Sequence, residues 1–329
     1  MEVLFKGEGA LLGWRDPDEE RLWRLKNKPR AKYNKVMNLG DAIENYVKPD
    51  EYIVFGGMGH VRSPIAAVHE IIRRDKCGFI FGAKIGTFDL DLLLAADCVK
   101  ALEVTYAFGH EAKGLSNIAK RLFKENKIQI LCEWTSASFA WRLKAAASGL
   151  PFFPTRILLG SDTLKKSSAI VVKDFFSKKP IVLLPALYPD LSIIHVHKAD
   201  IYGNAIIEGP VFSDIDLAMA SRRVIITAEK IIEGEIKSHD ESNIIPYFLV
   251  DAVVHVPYGS HPANMPHLYY FDFDHIDLWL EMSKTDEDTS RYLETYIYST
   301  ENHFEYLEKI GGEEKLKFLS KLERENFEE

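Results

Sequence analysis

Asp50-Glu-Tyr-Ile-Val-Phe-Gly56-Gly57-Met58-Gly59-His60-Val61-Arg62-Ser63-Pro64 is the stretch on which the fold reading turns. Tyr52–Phe55 is a short apolar run that ends on two glycines, so it reads as a buried strand entering a tight turn. Ser63 suits a helix N-cap and Pro64 the first helical position. Ile65, Val68, Ile71 and Ile72 then give the following helix one apolar face. Glycines tolerate positive φ and let a ligand approach the backbone, and unpaired N–H groups near a helix start can hold an anion or a carbonyl oxygen. The pattern is neither GxGxxG nor a phosphate loop ending in Lys-Ser/Thr. A plain strand–helix turn would account for the same residues.

Outward from this unit the alternation continues. Phe79–Phe81, Val99–Phe108 and Ile128–Cys132 read as strands, with helices over Asp89–Ala96 and Ser116–Lys124. Ser136–Ser148 reads as a helix capped by Thr135 and ended by Gly149. Ile181–Pro185, Leu191–His197, Val224–Thr227 and Val250–Val256 are strand-like, and Asp214–Arg222 is a helix between two of them. Strands alternating with helices predict an α/β fold: an open, mostly parallel sheet flanked by helices. Residues 1–36 are mostly polar and read as an N-terminal arm. Leu22, Trp23 and Leu25 form one short apolar patch there, closed by Pro29. Residues 37–329 read as a single domain whose charged tail, from about Asp286, is helical.

Composition narrows the function classes. The chain has 329 residues, 47% of them hydrophobic, enough for a sizeable core. Its formal net charge of −8 argues against a nucleic-acid surface. No stretch is apolar for long enough to span a bilayer, and the opening residues lack the apolar core of a signal peptide, so a soluble cytoplasmic protein is expected. Cys77, Cys98 and Cys132 lie in no CxxC pair, so three unpaired thiols are expected, which fits a reducing compartment.

The glycine turn resembles the first signature of family I CoA-transferases, an apolar strand running into Gly-Gly-Phe and then Gly-x-Pro. Here Met58 stands in place of Phe and Arg62 in place of the later Gly. An Arg before x-Pro is similar to the A subunits of the glutaconate CoA-transferase type. The resemblance continues in order through Gly149-Leu-Pro-Phe-Phe-Pro154 with Gly160-Ser161, and through Leu191-Ser-Ile-Ile-His195-Val-His197-Lys-Ala-Asp200 with Gly203-Asn204. It then runs through Phe212–Ala218, Val224–Ile232 and Val250–Pro262. It covers roughly residues 36–310.

This resemblance implies the A subunit of a CoA-transferase that moves CoA between an acyl-CoA and a small carboxylate. Coenzyme A is then a substrate, and no resident cofactor or metal is expected. In the family a glutamate in a Ser-Glu-Asn-Gly motif on the B-type half attacks the thioester, and the oxyanion needs nearby N–H donors. This chain carries no Ser-Glu-Asn-Gly. A B subunit is therefore expected to supply the nucleophile, with Gly56, Gly57, Met58, Gly59, His60, Arg62 and Ser161 binding substrate. Relatives that open steroid rings as CoA-thioester hydrolases resemble the same fold and use a glutamate of the A-type subunit. Glu111, just beyond a strand end, is the candidate catalytic residue for that alternative. A non-catalytic metabolite-binding domain is the third reading. His195 and His197 face one side of a strand with no evident third metal ligand, and Asp214 and Asp216 read as partners of a helix dipole.

Overall fold

A computed structural model describes residues 2–28, 30–110, 113–237 and 243–327. The run Tyr52–Phe55 is strand β2, and all four of its residues are buried. A strand covered on both faces needs no polar alternation, which is why the sequence there is continuously apolar. β2 pairs in parallel with β3 (Phe79–Gly86) on one edge and β9 (Leu191–Asp200) on the other. Beyond β3 come β4 (Val99–Ala107) and β5 (Ile130–Glu133), also parallel. Beyond β9 lie β11 (Arg223–Ile232) and β13 (Ala252–His255), parallel again. Two antiparallel two-residue strands, β10 (Ala205–Ile206) and β12 (Ile244–Ile245), extend the sheet beside the end of β9. The expected α/β sheet flanked by helices is thus present, and helices end the chain.

Residue parity divides the core. Ile53, Phe55, Ile193 and Ile225 point to one face and meet α2 (Leu39–Tyr46), α3 (Ile65–Arg73) and α4 (Phe88–Ala95). The tail helices α9 (Phe273–Met282) and α10 (Asp286–Leu293) close that side through Trp279 and Tyr292, both fully buried. Tyr52, Val54, Ile194 and Ile226 point the other way, to α6 (Ser136–Ala147) and α8 (Asp214–Ala220). Each such side chain buried stabilises the fold by about 1.5–3 kcal/mol. A polar network crosses this second layer. Glu103 of β4 accepts from Trp134 and Arg142 at 2.7 Å each and from the Tyr52 hydroxyl.

A second, antiparallel sheet lies outside α6, in the order β1 (Val3–Lys6), β7 (Ile170–Lys173), β8 (Pro180–Pro185), β6 (Phe152–Thr155). The sequence reading found only β8 among these. Residues 1–36 are accordingly tied into the rest of the chain, by β1 and by α1 (Pro17–Asn27), whose Arg24 donates to the Ala220 and Ser221 carbonyls. Pro29, read as the stop of α1, lies outside the described residues. The remaining helices are α5 (Asn117–Lys124), α7 (Thr163–Lys166), α11 (His303–Lys309) and α12 (Gly312–Phe327).

Two local expectations are corrected. Helix α3 begins at Ile65 with Pro64 at its cap position, and the Ser63 hydroxyl donates back to the Gly59 carbonyl instead of capping the helix. Cys77 and Cys98 form a disulfide, leaving Cys132 as the free thiol. They are 21 residues apart, but Cys98 directly precedes β4 and only Gly78 separates Cys77 from β3, and Phe79 pairs with Val99. Parallel pairing brings the two loops together, which sequence spacing alone does not reveal. The cysteine count therefore gives no support for a reducing compartment. Among the described residues no helix is long and apolar enough to cross a membrane.

Candidate active site

After β2 the chain continues through α3 toward β3, whereas the connections from β9 lead away to β11. The carboxyl ends of β2 and β9 therefore form a topological switch point, where ligands bind in open α/β sheets. The glycine turn sits there. A Cβ on Gly56 would lie 2.7 Å from Asp214 Oδ1 and 2.8 Å from Ile194 Cγ2, so only glycine fits. Gly57 has φ +73° and lies against the carbonyls of Val61 and Arg62.

The turn is clamped from beneath. Asp214, at the start of α8, accepts from the Gly57 N–H and from Arg62 Nη2, both at 2.7 Å. Arg62 is wholly buried with φ +57°, and its guanidinium also donates to the carbonyls of His195 and Pro210. Burial alone would raise the Asp214 carboxyl, but the charges of Arg62 and Lys84 outweigh it and hold the group below its ordinary value. Asp214 is thus a buried counter-ion and a backbone acceptor, a larger role than the helix-dipole partner the sequence suggested. Arg62 faces inward into this clamp.

The clamp decides which backbone donors are available. The N–H of Gly56 bonds to Ile193, that of Gly57 to Asp214 and that of Met58 to Val61. The N–H groups of Gly59 and His60 make no hydrogen bond to any described residue. They are the donors the turn can offer to an anion or an oxyanion.

Polar groups that the sequence reading passed over line the neighbouring cleft. Lys84, from β3, is buried and donates to Ser213 Oγ at 3.1 Å. Burial lowers its pKa, partly offset by Asp214. Asp89, on α4, accepts from the Thr87 N–H, and burial pushes its carboxyl up to about 6. Their signal was a lysine in the apolar strand Phe-Ile-Phe-Gly-Ala-Lys-Ile-Gly and aspartates in the apolar helix Phe-Asp-Leu-Asp-Leu-Leu-Leu-Ala. The second of those aspartates, Asp91, accepts from His110 Nε2 at 2.8 Å and from Trp279 Nε1 at 3.1 Å. His110 Nδ1 is buried with no partner among the described residues. A carboxylate-held imidazole with a free second nitrogen is a form that can accept a proton. His60 lies beside it, ring centroids 5.6 Å apart, and burial pushes His60 down to about 4. The cleft bounded by Gly56–Gly59, Lys84 and Asp89 holds only about 10 Å³, room for about one water.

The structure does not gather every candidate here. Met58 is 37% exposed above the turn. Ser161 belongs to the loop between β6 and α7, where its hydroxyl donates to the Leu158 carbonyl at 2.8 Å, and it does not line the cleft. Glu111 lies outside the described residues. The flanking Lys113 pairs with Asp277 at 2.8 Å. His195 bonds Thr227 and Glu229. His197 accepts from the Glu208 N–H at Nδ1 and so donates from Nε2 to the Pro266 carbonyl, as a neutral ring. Asp216 meets only Lys144, at 3.5 Å. Among the described residues no group of three or more His, Cys, Asp or Glu is placed to hold a metal ion.

Residues 36–256 match the family model for coenzyme A transferase, a span that holds the switch point and its clamp. This chain belongs to the coenzyme A transferase family. It is 33% identical to the A subunit of glutaconate CoA-transferase from Acidaminococcus fermentans, over 85% of this chain and 92% of the relative. The crystal structure of that enzyme superposes with a TM-score of 0.81 at 30% identity, covering 87% of this chain and 95% of that one. An uncharacterised protein of Archaeoglobus fulgidus is 46% identical over 98% of this chain and 73% of its own length. More distant family members differ in chemistry. A cholesterol ring-cleaving hydrolase IpdA subunit of Rhodococcus jostii is 27% identical over 86% of this chain and 99% of the relative. The structure of a variant of the decarboxylase AibA/AibB matches at 27% identity with a TM-score of 0.71, covering 80% of this chain and 98% of that one.

Proposed function

We propose that this chain is the A subunit of a CoA-transferase that moves CoA between an acyl-CoA and a small carboxylate, and that a B-type chain supplies the nucleophilic glutamate. The observation that carries this reading is the size of the cleft. Ligand pockets occupy about 300–1,000 Å³, whereas the space under the glycine turn is about 10 Å³. Among the described residues the cleft at the turn has donors but no room for a substrate. A second chain set against this edge would build the outer wall. Exposed Met58, Tyr106 and Leu115, at 37, 52 and 61%, are apolar surface available for that contact.

In this reading the partner's carboxylate attacks the thioester carbonyl and the carbonyl electrons move onto oxygen. The N–H groups of Gly59 and His60 stabilise that oxyanion, which collapses with loss of the CoA thiolate to an acyl-glutamyl anhydride. Return of the thiolate to the glutamyl carbonyl releases the first carboxylate, and the acceptor carboxylate takes over the CoA by the reverse steps. Lys84 holds positive charge beneath the turn.

Co-expression with a chain carrying Ser-Glu-Asn-Gly provides the test. CoA transfer requires both chains, and borohydride with acyl-CoA reduces the glutamyl thioester on the partner alone. Transfer by the isolated chain, or a label on this chain, sinks the proposal. The ring-opening hydrolase is the second reading, favoured by the 27% identity to IpdA and by the Asp91–His110 pair immediately before Glu111. It requires Glu111→Gln to abolish turnover of the complex. A variant that keeps full activity eliminates it.

A further inference from the structure

A cavity of about 570 Å³ lies away from the glycine turn. It opens between α1 and the C-terminal ends of α6 and α8, at the amino edge of the sheet. Its walls are apolar, formed by Leu25, Ala146, Ala147, Met219 and Phe248. Its volume falls in the range of small-molecule sites.

Two features specify the ligand's charge. Tyr188 lines the cavity and is 2% exposed, yet its hydroxyl has no hydrogen-bond partner among the described residues. A buried hydroxyl without a partner is costly and marks a place where an acceptor is missing. Burial pushes this phenol up to about 12, so it remains an O–H donor at neutral pH. The rim is cationic. Arg30 lines the opening, and its guanidinium has no acceptor among the described residues. Arg21 reaches Asp18, a carboxylate that also lines the opening, at 3.7 Å across an exposed surface. The acidic group deeper in, Glu20, is already matched by Arg24 and Arg222. Apolar walls, an unsatisfied donor and the charge of Arg30 at the mouth select one chemical class.

We infer that this cavity binds an amphipathic organic anion, an apolar chain or ring bearing one acidic group, at a site separate from the transfer cleft. Helix α8 connects the two. Its first residue, Asp214, clamps the glycine turn, and Met219 near its other end forms a wall of the cavity. Seven residues of helix span about 10 Å, so occupancy at one end bears on the same rigid element that positions the other.

Octanoate is the probe, titrated calorimetrically into the full chain, with octylammonium as the charge-reversed control. One octanoate binds per chain, and octylammonium binds at least tenfold more weakly. Ala147→Trp fills the cavity and Met219→Glu places a repelling charge in its wall, so each abolishes octanoate binding. Arg30→Glu weakens it about three- to tenfold. Both Met219 and Arg30 are accessible, so these variants keep the wild-type urea midpoint and carry the test if Ala147→Trp fails to fold. Equal binding of octanoate and octylammonium, or octanoate binding that survives Met219→Glu, overturns the inference. So does sedimentation showing a dimer that Met219→Glu dissociates, because this face would then be covered by a second copy. None of these readouts depends on CoA transfer.

Discussion

Two buried ion pairs, each 2.7 Å long and each between side chains of 0% exposure, play different parts in this molecule. Arg142–Glu103 lies in the layer between the two sheets and is saturated. Arg142 also donates to the Pro185 and Leu12 carbonyls, and Glu103 also accepts from Trp134 and Tyr52. Arg62–Asp214 lies under the glycine turn and is incompletely satisfied, since Arg62 Nε has no partner among the described residues; the Arg62 backbone also holds φ +57°. A saturated buried pair is structural glue. A strained one with an orphaned donor beside a ligand edge marks a place where the backbone is held for function at some cost in stability.

Acid should have the largest effect, and it should act through neither pair. Burial pushes His60, His197 and His303 down to about 4 and His275 to about 3, from an ordinary 6.5. These rings are neutral when folded and protonate in the unfolded chain. Between pH 6.5 and 4 the unfolded state binds more protons, so stability falls as pH falls through that window. Asp89, raised to about 6, and Glu323, raised by burial, oppose this, against these four rings and His69 and His261, which burial also lowers. Urea midpoints at pH 7 and pH 5 check the sign. A flat profile down to pH 4 would show that the histidines are not the acid-sensitive element.

Next in size, Glu103→Ala strands Arg142 and is expected to cost about 3–5 kcal/mol. Protein that still folds keeps its activity with the partner chain. Asp214→Asn is smaller in stability, about 3 kcal/mol, because the amide oxygen still accepts from Gly57 while Arg62 loses its counter-ion. Its effect on turnover is the greater of the two, at least tenfold, because the Gly59 and His60 donors move with the turn. If Glu103→Ala damages turnover as much as Asp214→Asn among folded molecules, the contrast between the pairs fails. Ser161→Ala should change stability by less than about 0.5 kcal/mol and leave turnover unchanged. A loss of activity there would bring the loop after β6 into the site.

The sequence made the central sheet readable because its strands are continuously apolar and its helices amphipathic. Thr135 and Gly149 bracket α6 as the residue types require. The second sheet was opaque for a physical reason. β1 pairs with β7 across a long sequence separation, Val3 with Val172, all four β1 residues are exposed, and β6 contains Pro154. Nothing in such segments encodes pairing locally. At the site, the glycines announced the turn, but the use of their N–H groups depended on Asp214, more than 150 residues onward. Lys84 and Asp89 were visible as misfits in apolar elements, and the disulfide only as two unremarkable cysteines.

Backbone bonds beyond the clamp bear on the order in which the turn is completed. The N–H of Arg62 bonds the carbonyl of Asn264, and the N–H of Ala66 bonds that of Gly259. A ribosome therefore releases the glycine turn long before the residues that shape it, because synthesis proceeds from the N-terminus and contacts distant in sequence close late. Chains truncated before residue 259 would carry β2, its turn and Asp214 but would lack both of these carbonyl acceptors, so the last backbone supports of the turn are made late.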